Sequence, residues 1–188
     1  RITTTAKLLW IIYAGLTIIE AILLKIAGMD WVDAISHALA TLGTGGFSTR
    51  NASIGGYNSV AIEVICTVFM ILAGINFSLF FSLITGKFKD IIENSEFKVY
   101  CGMVAIFIIV ITICIKPVYG SIGTALRYSS FQVASIMSTT GFGTADFLTW
   151  PSTAQFWIFI LFFLGGCSGS TSGGIKIVRW VILCKQVN

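Results

Sequence analysis

The sequence predicts an all-α membrane protein built from two tandem repeats, each consisting of a membrane span, a short re-entrant helix, a glycine-rich loop and a second span. Three observations support this fold class. Of the 188 residues, 56% are hydrophobic and only 11% are charged, against roughly a quarter charged in soluble domains. Several long stretches contain no charged side chain, and two segments 95 residues apart have closely similar sequences.

The charge-free stretches have the length of membrane spans. Residues 64–86, 99–115 and 147–175 contain no Asp, Glu, Lys or Arg, and a transmembrane helix needs about 20 predominantly apolar residues. We therefore predict spans at residues 7–26, 59–85, 99–115 and from residue 150 onward. No small-residue cleavage site follows the first apolar stretch, so it does not read as a signal peptide. The first residue is not Met, which suggests a piece of a longer polypeptide.

The two similar segments define the repeat. One reads ALATLGTGGFST at residues 38–49, and the other reads VASIMSTTGFGT at residues 133–144. Aligned without gaps, they place Thr44 on Thr139, Gly46 on Gly141 and Phe47 on Phe142. A repeat of this length indicates the organisation of the whole fold.

The order of elements within each repeat follows from this alignment. Short helices are predicted at residues 31–42 and 128–138, just before the first glycine-rich segment (residues 43–49) and the second glycine-rich segment (residues 139–144). Polar loops are predicted at residues 50–58 and 116–127. The first repeat then covers residues 1–86, a charged cytoplasmic linker covers residues 87–98, and the second repeat covers residues 99–188.

The distribution of Lys and Arg predicts the orientation. With a cytoplasmic N-terminus the inner side carries eight basic residues and the outer side four, as the positive-inside rule requires. The inner residues are Arg1, Lys7, Lys87, Lys89, Lys98, Lys176, Arg179 and Lys185, and the outer ones are Lys25, Arg50, Lys116 and Arg127. Both glycine-rich segments then lie in the outer half of the membrane.

The glycine-rich segments have the chemistry of an ion path. Irregular backbone at membrane depth survives only when it is packed in protein or lines a water-filled path. Carbonyls aimed at such a path replace the hydration shell of a cation, and helix C-termini that end there favour positive charge. Threonine hydroxyls can add ligands, and the two phenylalanines are expected to wedge against neighbouring helices. The candidate filter residues are Thr44, Gly45, Gly46, Phe47, Thr139, Thr140, Gly141 and Phe142. The alternative is that the glycines only allow close helix packing.

A third glycine-rich stretch, outside the two similar segments, interrupts the last span. The sequence GGCSGSTSGG at residues 165–174, which we call the Gly/Ser loop, contains five glycines, each of which costs about 1 kcal/mol relative to Ala in a helix. We predict a span broken in mid-membrane by a flexible loop beneath the filter that acts as a gate. A small-residue packing face is the alternative. The candidate gate residues are Gly165, Gly166, Cys167, Ser168, Gly169, Ser170, Thr171, Ser172, Gly173 and Gly174. The matching place in the first repeat, residues 73–78, is predicted to be a milder break.

Four isolated polar residues have simpler predictions. Glu20 and Glu63 lie near the outer ends of spans and are expected to be solvated or paired with lysine. His37 lies on a short helix and is expected to hydrogen-bond a neighbour. Asp146 follows the second glycine-rich segment, where it either caps the loop or concentrates cations at the mouth.

Taken together, these features predict an ion-conducting pore. An anion channel or a water or ammonia pore is a weaker alternative, because such proteins present helix N-termini or Asn side chains to the permeating species. A non-conducting structural subunit would not need two filter-like loops. An enzyme is the weakest alternative, since the sequence contains no nucleophile–base set and its GGCSGSTSGGIK stretch lacks the order of a phosphate loop.

Two motifs resemble a known family. The stretches TTGFGTADF at residues 139–147 and GGCSGSTSGGIKIVR at residues 165–179 resemble the Trk/Ktr/HKT superfamily of potassium transporters, and within it the bacterial TrkH/TrkG membrane subunits. The resemblance covers nearly the whole chain. It implies a pseudo-four-fold, potassium-channel-like pore formed by four repeats of one polypeptide, of which this chain carries the second and third. It also implies that Gly46 and Gly141 are filter glycines and that the Gly/Ser loop gates the pore.

The resemblance further implies the setting in which the chain works. K⁺ is the expected transported ion, with Na⁺ permeability left open, and no organic cofactor and no nucleic acid are expected. The implied location is the bacterial inner membrane, as a multi-pass protein in contact with lipid. The implied partners are the remaining repeats of the same polypeptide, a second copy in a homodimer, and a cytosolic nucleotide-binding regulatory subunit of the TrkA type.

Overall fold

The computed structural model describes residues 2–187, and over that range the chain is helical with no β-strand. The α-helices are α1 (Ile2–Ile26), α2 (Trp31–Leu42), α3 (Val60–Ala73), α4 (Phe77–Ile84), α5 (Phe88–Glu93), α6 (Ser95–Tyr119), α7 (Ile122–Met137), α8 (Ser152–Leu161) and α9 (Ile177–Val187). Short 3₁₀ turns at Ser53–Tyr57 and Phe147–Thr149 follow the two glycine-rich segments.

Within residues 2–187, two helices are long and apolar enough to cross a membrane. They are Ala6–Ile26 within α1 and Ser95–Tyr119, which is α6, and the pair α3 and α4 makes a third if it is counted as one span. The spans predicted at residues 7–26 and 99–115 therefore correspond to helices of the required length. The last predicted span is divided, because α8 ends at Leu161 and α9 begins at Ile177, with the Gly/Ser loop between them.

The second span of the first half differs from its prediction. A largely continuous helix is expected over residues 59–85, but α3 and α4 meet at an angle of 96°. Two contacts account for the bend. Gly74 lies so close to Tyr100 that an added Cβ would clash with the phenol oxygen, and the Asn76 side chain accepts the Ser78 N–H over 2.9 Å to start α4 afresh. The second span is therefore clearly interrupted in both halves of the chain, at the bend in the first half and at the Gly/Ser loop in the second.

Two segments predicted as loops are largely helical. The expected loop at residues 116–127 is taken up by the end of α6, which tolerates Pro117 in its last turns, and by α7, which begins at Ile122 instead of near residue 128. Gly120, with φ +68°, makes the tight turn between them. The predicted linker at residues 87–98 contains the exposed helix α5 and the first turn of α6.

Helix packing and one buried cluster join the two halves. Helix α1 packs on α2, α6 packs on α7, and α3 packs on α7 across the boundary between the halves. Ile62 of α3, Phe131 of α7 and Phe142 belong to one buried cluster at this boundary. Many large apolar side chains point outward, among them Trp10, Ile106 and Phe159, as expected for helices that face lipid or further helices.

Candidate ion-conduction site

The two glycine-rich segments repeat in backbone conformation as well as in sequence. Thr44 and Thr139, the aligned threonines, have φ +50° and +60°, and the aligned glycines Gly46 and Gly141 have φ +69° and +88°. A positive φ is strained for a β-branched residue. The same strained conformation at two aligned positions indicates that both segments are built for the same geometry.

The hydrogen bonds that shape the two segments also repeat. In each segment two successive N–H groups turn back toward one carbonyl in the last turn of the preceding helix, which is Ala40 O in the first and Ser135 O in the second. The donors are Gly45 (2.8 Å) and Gly46 (3.5 Å) in the first segment, and Thr140 (3.0 Å) and Gly141 (3.2 Å) in the second. With the N–H groups bound to the helix, the carbonyl groups are left for another partner.

Six carbonyl oxygens in the two segments accept no hydrogen bond from the residues that the structure describes. They are those of Thr44, Gly45, Gly46, Thr139, Thr140 and Gly141. The two segments also touch each other, because Gly46 packs against the carbonyl of Thr140 so closely that any Cβ at position 46 would clash with it. The two segments are therefore in direct contact at Gly46 and Thr140.

The two aligned phenylalanines have different environments. Phe142 is 1% exposed, and Ser135 Oγ donates to its carbonyl over 2.6 Å, so it anchors the second segment as predicted. Phe47 is 82% exposed within the described residues, so none of their helices supplies the contact predicted for it. The reason is positional: α7 and His37 cover Phe142, and no described helix reaches Phe47.

His37 contacts both glycine-rich segments. Its Nδ1 lies 2.7 Å from Asp33 O, which can only accept, so Nδ1 carries the proton and Nε2 accepts from Ser48 Oγ at 2.8 Å in the neutral ring. The ring also packs against Phe142, with centroids 5.6 Å apart. The predicted hydrogen bond from His37 is confirmed, and it fixes the end of the first glycine-rich segment at Ser48.

Sequence reasoning missed a polar cluster that joins α2 to the loop after the first glycine-rich segment. Asp33 accepts from Tyr57 and from Thr49, each at 2.7 Å, and Arg50 lies 3.5 Å from its carboxylate. The hydrogen bonds from Tyr57 and Thr49 lower the pKa of Asp33. After the second glycine-rich segment, Asp146 Oδ1 accepts the Leu148 N–H over 2.9 Å, which confirms the capping alternative for that residue.

The Gly/Ser loop contacts both glycine-rich segments. Thr44 Oγ1 donates to Thr171 O over 3.0 Å, and the Gly173 N–H donates to Thr139 Oγ1 over 2.6 Å. The hydroxyls of the two aligned threonines therefore hold the loop, whereas the sequence predicts that they can serve as ion ligands. Other loop hydroxyls are also engaged, since Ser170 Oγ donates to Cys167 O over 2.6 Å.

The loop is closed on itself at its base. The Gly165 N–H donates to Ile175 O over 3.0 Å, the Gly166 N–H donates to Ser172 Oγ over 3.0 Å, and Gly169 and Gly174 have positive φ. Because an added Cβ at Gly165 would clash with the Gly173 carbonyl, a larger residue could not close the loop in this way.

The loop also interlocks with the break between α3 and α4. The Cys167 N–H donates to Gly74 O over 2.8 Å, the Phe77 N–H donates to Gly169 O over 3.1 Å, and Thr171 Oγ1 donates to Ala73 O over 3.2 Å. The backbone groups freed by one break are thus satisfied by the other, which allows both to exist in the interior.

Two charged residues hold the loop from the linker side. Glu96, in the first turn of α6, accepts the Ser168 N–H on Oε1 over 2.5 Å. Lys176 Nζ donates to Ser172 O and lies 3.5 Å from Ser170 Oγ. The proximity of Glu96 to the loop has no signal in the sequence, because 72 residues separate the partners.

These features define a helical membrane protein in which two glycine-rich segments at helix C-termini meet a broken span. Comparison with known proteins identifies the family. The sequence model of TrkH, described as a cation transport protein, matches residues 1–100 and 103–188. The chain therefore belongs to the TrkH family, and the resemblance found in the sequence is confirmed.

Individual relatives support the same conclusion. The Trk system potassium uptake protein TrkH of Halomonas elongata is 42% identical over 99% of the chain, and that of Escherichia coli K12 is 40% identical over all of it. The crystal structure of the potassium transporter TrkH from Vibrio parahaemolyticus superposes with a TM-score of 0.93 at 38% identity, covering the whole chain. The chain spans only 39–41% of the length of these proteins.

Proposed function

We propose that this chain forms two repeats of a pore that conducts K⁺ across a bacterial inner membrane. The observation that carries the proposal is the set of six carbonyl oxygens without a protein partner, held at the C-terminal ends of α2 and α7. Unpaired carbonyls at membrane depth cost several kcal/mol each. A dehydrated cation supplies the missing partner, and the negative ends of the two helix dipoles favour it over an anion.

The proposed filter consists of backbone oxygens and not of hydroxyls. Thr44 and Thr139 direct their hydroxyls to the Gly/Ser loop, so their contribution to the ion site is the carbonyl group. The names of the relatives, which are potassium uptake proteins or a potassium transporter, support K⁺ as the ion. A carbonyl-lined path at helix C-termini also argues against an anion or ammonia pore.

The Gly/Ser loop is proposed to be the gate. It lies against both glycine-rich segments and against the break between α3 and α4, so a movement of the loop changes three sets of hydrogen bonds at once. The remaining assignments rest on the family resemblance. They are the pore repeats at 1–86 and 99–188 with a cytoplasmic linker at 87–98, two further repeats that complete the filter, a homodimer, and a TrkA-type regulatory subunit.

Substitution of the aligned glycines tests the filter. In the full-length protein that contains this chain, reconstituted in liposomes, Gly46→Ser and Gly141→Ser are expected to lower K⁺ over Na⁺ discrimination by about tenfold, which corresponds to about 1.4 kcal/mol. Competition of K⁺ and Na⁺ with Rb⁺ uptake measures this ratio. Gly102→Ser is the matched control, since Gly102 lies on an exposed face of α6 with room for a side chain. An unchanged ratio in both filter variants would contradict the assignment.

Shortening the loop tests the gate separately. Deletion of residues 169–171 removes the contacts to Phe77, Ala73 and Thr44. We expect a higher basal Rb⁺ flux with an unchanged K⁺ to Na⁺ ratio. A variant that folds and stays as closed as the parent protein would rule out the gate role.

A further inference from the structure

Glu20 is a buried acid for which the proposed pore gives no role. It lies in α1, is 0% exposed, and neither carboxyl oxygen has a hydrogen-bond partner among the described residues. The sequence predicts a solvated or lysine-paired carboxylate at this position. That prediction is wrong, because none of the ion pairs found within residues 2–187 includes Glu20. Glu63, its counterpart in the prediction, pairs with Arg127 at 3.2 Å.

The surroundings of Glu20 favour a neutral carboxylic acid. An isolated carboxylate removed from water costs far more than a protein interior can offset, and such groups take up a proton instead. From α3, the buried Cys66 thiol lies within electrostatic reach of the carboxyl group, and α2 presents the hydroxyl of Thr41. Neither group supplies a positive charge. A neutral acid has one O–H donor, which needs an acceptor.

Thr41 has the acceptor capacity that Glu20 requires. The Thr41 side chain is fully buried beside the carboxyl group, and its own proton is already used, because Oγ1 donates to His37 O over 2.7 Å. A hydroxyl that has donated its proton keeps two lone pairs. Thr41 Oγ1 is therefore the acceptor that a protonated Glu20 carboxyl group can use.

Thr41 is directly connected to the first glycine-rich segment. Its carbonyl accepts the Thr44 N–H over 3.0 Å, and the carbonyl of the preceding residue, Ala40, holds the N–H groups of Gly45 and Gly46. The position of this turn therefore sets the direction in which the segment's carbonyls point. A group on α1 that fixes the position of Thr41 therefore fixes the segment as well.

The second half fills the aligned positions with apolar residues. At the same 95-residue offset, Glu20 corresponds to Ile115 and Thr41 to Ile136, and both isoleucines are buried. Two isoleucines thus satisfy the packing at these positions in the second half. The acid and the hydroxyl in the first half supply something beyond packing, and they occur together.

We propose that Glu20 acts as a neutral acid that donates a hydrogen bond to Thr41 from α1 and so holds the first glycine-rich segment in its ion-selective shape. Glu20 is on this view a positioning residue that contacts no ion. The proposal rests on the proposed role of the segment as a filter. It makes the two halves of the chain unequal, because the second half has isoleucine at both aligned positions.

Three variants of the full-length protein in liposomes test the proposal. Glu20→Gln keeps the size and an N–H donor but cannot ionise, Glu20→Leu removes the donor, and Thr41→Val removes the acceptor at equal shape. We expect Glu20→Gln to keep the K⁺ to Na⁺ ratio of the parent protein from about pH 5.5 to about pH 8.5, where an ordinary glutamate is ionised. Glu20→Leu and Thr41→Val should each lower the ratio by about fivefold, the equivalent of one hydrogen bond.

The double variant and a control complete the design. Glu20→Leu combined with Thr41→Val should lose no more selectivity than either change alone, because both remove the same bond. Thr67→Val is the matched control, since Thr67 Oγ1 makes the same kind of bond to Glu63 O, at 2.7 Å, on α3. Thermal unfolding in detergent checks that each variant is folded, and Thr41→Val carries the test if Glu20→Leu does not assemble.

Each outcome supports or overturns a defined claim. If Glu20→Gln loses as much selectivity as Glu20→Leu, an ionised carboxylate is required and the proposal is wrong. If Glu20→Leu and Thr41→Val both behave like the parent protein, the positioning role is absent. Gly46→Ser separates this from the filter itself: should that variant also leave selectivity unchanged, it is the filter assignment that fails.

Discussion

The hydroxyl of Thr44 donates a hydrogen bond to the carbonyl oxygen of Thr171 over 3.0 Å, across 127 residues of sequence. The aligned Thr139 accepts one from the Gly173 N–H over 2.6 Å. Each glycine-rich segment therefore holds one part of the Gly/Ser loop through its own threonine. The proposed filter and the proposed gate share these two bonds, so a change in one is expected to reach the other.

Thr44→Val tests this connection. Valine keeps the β-branched shape, and so the same strain at φ +50°, but it cannot donate to Thr171. We expect basal Rb⁺ flux in liposomes to rise about fivefold, the equivalent of one lost hydrogen bond. Thr44→Ser retains the donor and should match the parent protein. Equal flux from the Val and Ser variants would show that the bond does not hold the loop.

The bend between α3 and α4 leads to a prediction about stability. Gly74→Ala should clash with the Tyr100 phenol and lower the free energy of unfolding by about 1–3 kcal/mol. Tyr100→Phe loses the hydrogen bond to Ile71 O, found at 2.9 Å, at a cost of about 1 kcal/mol. Phe removes the phenol oxygen, the nearest atom that the added Cβ would meet, although ring carbon Cζ remains at 2.8 Å. Because the clash is thereby reduced, the double variant should be more stable than the sum of the two changes predicts. Thermal unfolding in detergent measures this, and strict additivity would contradict the proposed cause of the bend.

Glu96 connects the linker side of the chain to the Gly/Ser loop. Glu96→Gln replaces a charged acceptor of the Ser168 N–H by a neutral one and should raise basal Rb⁺ flux by about threefold to tenfold. Glu93→Gln is the matched control, because the pair that Glu93 forms with Lys89 at 3.6 Å is exposed. Its flux should stay within about twofold of the parent protein. If both variants give the same flux, Glu96 has no specific role at the loop.

Asp33 predicts a dependence of stability on pH. Its pKa in the folded chain is lowered from 3.8 by hydrogen bonds from Tyr57 and Thr49. A lowered folded pKa means that the stabilisation is fully present above the unfolded value and is lost as the pH falls through the folded value. The parent protein should therefore melt at a higher temperature than Asp33→Asn at neutral pH. This difference should shrink below pH 3.8, and a difference that widens in acid would contradict the assignment.

Local sequence predicts the parts of the fold that depend on neighbours along the chain. The short helix at residues 31–42 matches α2 because an amphipathic run is followed at once by Gly43. The glycine-rich segments and the interruption at residues 165–174 are equally visible, since glycine content lowers helix stability wherever it occurs. The early start of α7 at Ile122 is harder to foresee, because Gly120 makes the turn in two residues.

Features that depend on distant partners could not be predicted. The 96° bend at Gly74 requires Tyr100 on one side and Cys167 on the other, and neither is near in sequence. The burial of Glu20 depends on the helices that pack around it, which a position near the end of a span does not specify. Phe47 and Phe142 show the same limit, because identical residues at aligned positions are 82% and 1% exposed.

The mutual support of the two helix breaks also has a consequence for biogenesis. The Gly74 carbonyl and the Phe77 N–H find their partners at Cys167 and Gly169, which the ribosome adds more than 90 residues later. Until those residues enter the membrane, we expect residues 60–84 to favour a straighter helix that satisfies its own backbone. On this expectation the first half acquires its final shape only when the second half is present, and the two repeats fold as one unit.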